Sequence, residues 1–180
     1  ANVVSQGITI NISGSTIQNN FVGAAEIGGQ GNSWVESGGV QSGGVTFAIT
    51  ESVIGGNIYG GGWSTNGANN NNPRGEQVIV HGGVTASIAQ SSVGGNIYVG
   101  GWQHGGNWNS DPNSRRVVDL VQDGDILMTV TGSSIGGGLY AMGYNSRLQD
   151  GYSYILSIAD STVASSVSGS SYSSPEKQRI

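Results

Sequence analysis

The chain has no cysteine, three prolines, and charged residues at only 9% of its 180 positions, against about 25% in an average soluble domain. Each shortage excludes something. Without Cys there is no disulfide framework and no thiolate zinc site. Six Lys and Arg residues are too few to track a phosphate backbone, and Arg115-Arg116 is the only adjacent basic pair, so no nucleic-acid partner is expected. A membrane-spanning helix needs about 20 consecutive apolar residues. The apolar runs here stop at four or five, and membrane insertion is not expected. No window holds a 3.6-residue apolar period, which excludes a helical bundle. A net charge of −5 is too small to keep the chain unfolded by repulsion. The opening Ala1-Asn2-Val3-Val4-Ser5 has neither a basic nor an apolar leader, as in a chain after signal removal or an excised fragment.

What the chain has instead is glycine, 33 residues of it, and a repeat. The clearest copies are Ser52-Val53-Ile54-Gly55-Gly56-Asn57-Ile58-Tyr59, Ser92-Val93-Gly94-Gly95-Asn96-Ile97-Tyr98 and Ser134-Ile135-Gly136-Gly137-Gly138-Leu139-Tyr140. Weaker copies begin at Ser15 and Ser161. With Ser15, Ser52, Ser91, Ser133 and Ser161 equivalent, the spacings are 37, 39, 42 and 28 residues.

Each copy follows an alternating run that reads as a strand with one apolar face. These runs are Ile8 to Ile12, Val45 to Ile49, Val84 to Ile88, Ile126 to Val130 and Tyr154 to Ile158. Their last members, Ile12, Ile49, Ile88, Val130 and Ile158, form one expected inward file. The chain then turns at Gly, Ser, Glu, Gln or Asp into a second short strand. A third strand is expected at Val3-Val4, Glu76 to Val80 and Val117 to Val121. Three strands per repeat joined by Gly-rich corners predict an all-β fold, a right-handed parallel β-solenoid (β-helix) of four to five rungs. A single domain is expected over 1–170, with repeats near 8–44, 45–83, 84–125, 126–153 and 154–170, then a polar tail at 171–180.

Aromatic residues keep the same period. Trp63, Trp102 and Tyr144 each follow Tyr59, Tyr98 and Tyr140 by four residues. Rungs of a parallel sheet lie about 4.8 Å apart, so Tyr59, Tyr98 and Tyr140 are expected to form a stacking ladder. Asn57 and Asn96, above Asn20, are expected to form an amide ladder. Trp63, Trp102, Trp108 and Tyr144 are the candidate ligand-stacking residues should this strip meet a sugar. Two polar segments, Ser64 to Gly75 and Gln103 to Ser114, match in length and carry Pro73 and Pro112, and Glu76 is placed to pair with Arg115.

Catalytic signals are sparse. His81 and His104 lie in no nucleophile motif. Asp119, Asp123 and Asp125 are the densest carboxylates, and a solenoid lyase or hydrolase would have to use them. Asp123-Gly124-Asp125 reads first as a turn, and no cofactor is expected beyond weakly held Ca²⁺ there. Thr9, Thr46 and Thr85 give one threonine file that stops at Leu127, too little for an ice-binding array.

The motif Ser-x-Ile/Val-Gly-Gly-x-Ile/Leu-Tyr, followed by Gly60-Gly61-Gly62 or Gly100-Gly101, resembles the Gly-rich repeats of bacterial autotransporter and haemagglutinin-like surface adhesins. The resemblance implies an extracellular or cell-surface location and an adhesive or fibre-forming role. Neither end carries an obvious cap, and an open strand edge invites pairing. The expectation is therefore a non-enzymatic structural protein that stacks head to tail. Val3, Val4, Ile8 and Ile10 at one end and Ile155, Ile158, Val163 and Val167 at the other are its candidate polymer interface. The alternatives are an adhesin module that binds a glycan or host surface through the aromatic strip, and a polysaccharide-cleaving enzyme.

Overall fold

In the computed structural model, residues 3–4, 7–24, 26–27, 40–41, 43–64, 79–103, 120–144 and 146–170 are described. They form a parallel β-solenoid of five rungs. The first rung contains β1 (Val3–Val4), β2 (Ile8–Ser13), β3 (Thr16–Ile17), β4 (Phe21–Val22) and β5 (Glu26–Ile27). The second contains β6 (Val40–Gln41), β7 (Val45–Thr50), β8 (Val53–Ile54), β9 (Ile58–Tyr59) and β10 (Trp63–Ser64). The third contains β11 (Ile79–His81), β12 (Val84–Ala89), β13 (Ser92–Val93), β14 (Ile97–Tyr98) and β15 (Trp102–Gln103). The fourth has β16 (Leu120–Asp123), β17 (Ile126–Thr131), β18 (Ser134–Ile135) and β19 (Leu139–Gly143), and the fifth β20 (Ser146–Leu148), β21 (Tyr154–Ala159), β22 (Thr162–Val163) and β23 (Val167–Ser170).

Equivalent strands stack into four five-stranded sheets and one three-stranded sheet, β5-β10-β15. Three strands per repeat was therefore too few. The Gly-Gly-Asn corner breaks the expected second strand into two, and the Trp-bearing segment adds another. The third strand, expected to end at Val80 and Val121, runs on to His81 and Asp123.

From the start of the long strand to the aromatic corner, all five rungs have the same length. Ile8 to Val22, Val45 to Tyr59, Val84 to Tyr98, Ile126 to Tyr140 and Tyr154 to Ser168 superpose residue for residue. Variation in repeat length is confined to the rest of the rung.

The core is a set of apolar files along the axis. Ile49, Ile88 and Val130 are at most 1% exposed and stack in register with Ile12 below and Ile158 above. Side-chain volumes are traded between facing walls. Phe47 fills the second rung opposite Gly60, where any Cβ would strike the Phe47 ring and the Val99 carbonyl. One rung on, their register partners are Ala86 and Val99, with the large residue on the other wall.

Two corners carry side-chain ladders. After each long strand one residue enters the left-handed region: Gly14, Glu51, Gln90, Gly132 and Asp160, with φ between 49° and 58°. The next residue is always serine, and its backbone N–H donates to the serine hydroxyl of the following rung. The bonds are Ser15 to Ser52 (3.0 Å), Ser52 to Ser91 (3.1 Å), Ser91 to Ser133 (3.1 Å) and Ser133 to Ser161 (3.0 Å). Each hydroxyl donates in turn to the carbonyl two residues before it. These five serines are the ones the repeat alignment rests on.

The Gly-Gly-Asn corner runs with opposite polarity. Asn57 N–H donates to Asn20 Oδ1 (2.8 Å), Asn96 N–H to Asn57 Oδ1 (2.7 Å) and Gly138 N–H to Asn96 Oδ1 (2.7 Å). Where amide-to-amide stacking was expected, each side-chain carbonyl instead satisfies the backbone of the next rung.

Two substitutions test this construction. Ile88→Asp buries an unpaired carboxylate at a cost of several kcal/mol, comparable with the whole stability of a domain, about 5–15 kcal/mol. It should abolish cooperative unfolding by circular dichroism, whereas Thr85→Asp on the exposed side of the same strand should not. Ser91→Ala strands a buried N–H and should cost about 1–3 kcal/mol; the exposed neighbour Ser92→Ala should stay within about 0.5 kcal/mol in the same denaturation series.

Candidate functional site

Three places combine chemistry with position: the two end rungs, the aromatic corner, and a polar cluster where the third, fourth and fifth rungs meet.

At the far end, among the described residues, β21 pairs only with β17, β22 only with β18 and β23 only with β19. Ile158 is 39% exposed and Val167 48%, although their register partners Val130 and Leu139 are 0%. Leu156 and Val163 are half-buried inward residues of the same rung. Ile155 differs, because it is in register with outward-facing Leu127 and belongs to the flank of the solenoid. At the near end Ile8, Ile10 and Ile12 face inward and are half-buried. β1 pairs with β6, which places Val3 and Val4 in the edge strand of another sheet.

At the aromatic corner the rings pack on one another. Tyr59 and Tyr98 are stacked at 5.5 Å with planes 3° apart, and Tyr98 and Tyr140 at 5.2 Å and 15°. Trp63 stacks on Tyr59 at 5.4 Å and Trp102 on Tyr144 at 5.2 Å, while Tyr144 meets Tyr98 edge-on at 6.4 Å. Each such pair contributes about 0.5–1.5 kcal/mol beyond its buried area. Asn57 Nδ2 donates to the Tyr59 hydroxyl at 3.0 Å. Burial raises the pKa of Tyr59 and, aided by its tyrosine neighbours, that of Tyr98. Tyr98 has a ring on each face, so a sugar would find it covered.

The polar cluster was not foreseen as a unit. His81 and Asp123 are register partners, and His81 Nδ1 lies 2.6 Å from Asp123 Oδ2. A carboxylate only accepts, so Nδ1 carries the proton in this bond. Tyr152 also hydrogen-bonds Asp123, so the carboxylate ties a histidine of the third rung to a tyrosine leading into the fifth. Those bonds, His81 first, lower the Asp123 pKa. Asp125 Oδ1 accepts from Ser153 N–H at 2.8 Å, and Gly124 between the two aspartates forms the bend expected of a turn. The 42-residue separation of His81 and Asp123 equals that of Ser91 and Ser133, which is the signal that could have paired them. Among the described residues no three His, Asp or Glu side chains gather closely enough to hold a metal, and no helix is long and apolar enough to cross a membrane. Trp108, His104, Asp119, Glu76, Arg115, most of both polar segments and the 171–180 tail lie outside the described residues.

Family models, curated proteins and solved structures were all compared with this chain. None matches. The adhesin resemblance therefore rests on the repeat motif alone, and the fold on its own strand register.

The Asp123 bonds make stability depend on pH. Because the folded pKa lies below the ordinary 3.8, the stabilisation is complete above that value and is lost as pH falls through the folded pKa. Melting curves should show wild type losing ground to Asp123→Asn as pH drops below about 4. Equal slopes for the two proteins would show that the carboxylate contributes nothing.

Proposed function

We propose that this chain is a non-enzymatic structural solenoid that joins end to end into filaments outside the cell, with each copy's first rung laid on the preceding copy's last. The observation that carries the reading is the exposure of Ile158 and Val167 at the end of two files that are sealed from the second rung to the fourth. Both ends present matching elements: six-residue strands β2 and β21, and two-residue strands β3 and β22.

A continued register would set Leu156 and Ile158 against Ile10 and Ile12 of the next copy, and Val163 against its Ile17. The serine ladder supports the same junction. Its polarity directs the Ser161 N–H away from the solenoid, toward where the next copy's Ser15 hydroxyl would stand. The surface location is supported by the adhesin-like motif and by the low charge. The aromatic-strip reading is weaker, since Trp63 has one ring face against Tyr59 and Trp102 has one against Tyr144. A polysaccharide-cleaving site has less support still, because Asp123 and Asp125 are engaged with His81, Tyr152 and Ser153.

Negative-stain microscopy and light scattering over a concentration series should show uniform thin filaments. A compact particle of 18.3 kDa at every concentration would overturn the assembly. The register is read separately, because the chain has no cysteine of its own. Thr9→Cys with Ile155→Cys should give crosslinked ladders with a short thiol reagent, and Thr9→Cys with Ala159→Cys should not.

A further inference from the structure

The left-handed corner leaves an open groove of about 550 Å³ along its outer side, running from the second rung to the fifth. One wall is built by Glu51, Gln90 and Asp160, the other by Val53, Ser92, Ser134 and Thr162. Thr162 Oγ1 lies 3.3 Å from Ser134 Oγ, so the hydroxyl wall is partly self-connected.

The residues on the first wall are not the ones the backbone prefers. All five members of that file have φ near +50°, where glycine is relaxed and a side chain is strained. Gly14 and Gly132 show that glycine serves this corner, and this chain is otherwise generous with it. Yet the second, third and fifth rungs carry Glu, Gln and Asp. Among the described residues none of the three side chains makes a hydrogen bond or an ion pair, and what Glu51 and Gln90 donate at the corner is their backbone N–H, to the Ala89 and Thr131 carbonyls. At Gly132 an added Cβ would lie 3.7 Å from Gln90 Cγ, so the missing side chain widens the groove in its middle. Strain kept without a structural return, beside a groove, is the signature of a site that serves something else.

We propose that this groove binds a neutral, linear oligosaccharide lying along the solenoid axis. The chemistry of the lining selects that class. Carboxylates and a carboxamide accept from sugar hydroxyls, the Gln90 amide and the Ser and Thr hydroxyls donate back, and from the third rung to the fifth the hydroxyls recur at about 4.8 Å, with Val53 in that place in the second. Among the described residues no cationic side chain lines the groove, so an acidic glycan meets two carboxylates with no counter-charge from them. The groove is shallow, and binding is weak at a single copy. This site shares no residue with the aromatic corner and does not depend on end-to-end assembly.

The test is a titration of the isotope-labelled full chain with cello-, chito-, manno- and malto-pentaose, followed by amide chemical shifts. At least one should move residues 51–53, 90–92, 132–134 and 160–162 together. The variant Glu51→Gly/Gln90→Gly/Asp160→Gly should melt at the same temperature or higher, because the strain is gone, and should lose at least tenfold in affinity. Four outcomes would overturn the proposal: no shift with any sugar, shifts centred on Trp63 and Trp102, unchanged affinity in the triple variant, or a lower melting temperature, which would make the three side chains structural. Shifts produced by a diamine such as putrescine, and by no sugar, would reassign the groove to cations and overturn it equally.

Discussion

Every feature of this molecule depends on one constraint: successive rungs are hydrogen-bonded in parallel and in register. A parallel ladder places each residue about 4.8 Å from its counterpart above and below. Whatever conformation one rung adopts, the next must copy. The fixed stretch from long strand to aromatic corner is the result, and so is the serine that recurs after every left-handed residue. At such a corner the regular ladder is interrupted, and the hydroxyl of the next rung supplies the acceptor that the main chain lacks.

The same constraint accounts for a composition that is poor in charge. Residues that stack on their own kind must be ones for which that is favourable. Tyrosine rings, hydroxyls and amides meet the condition, and the ladders use all three. Like charges at rung spacing repel by about 1 kcal/mol in water and several times that near a protein surface. On the strained corner file Glu51 and Asp160 are separated by Gln90 and Gly132. Among the described residues, the histidine and carboxylate that are register partners, His81 and Asp123, hydrogen-bond each other.

Much of this was legible in the sequence because a period of two with an in-register repeat maps almost directly onto geometry. The inward file from Ile12 to Ile158 and the Tyr59–Tyr98–Tyr140 stack follow from spacing alone. What spacing could not give was the number of faces. Two-residue strands such as β8 and β9 carry no periodicity of their own, and the glycines between them read as a single corner. The Asn ladder was placed correctly but given the wrong partner, since a side-chain amide one rung away competes with a backbone N–H that is closer to hand. The pairing of His81 with Asp123 was within reach of the 42-residue spacing but lay beyond the expected strand ends at Val80 and Val121. The groove was invisible for another reason. Glu51, Gln90 and Asp160 look like ordinary turn residues until their φ values are known.

The division of each rung into a fixed and an elastic part has a consequence for how such a chain can change. Through the first four rungs, insertions and deletions have one permitted address, between the Trp-bearing strand and the strand that precedes the next long strand, because both of these keep the register of the fixed part. Closing a longer loop there costs only about 0.6 kcal/mol per doubling of its length, and no hydrogen bond of the fixed part need shift. The molecule therefore behaves as a ruler with one blank margin, able to carry foreign segments at a constant pitch while its graduations stay in place.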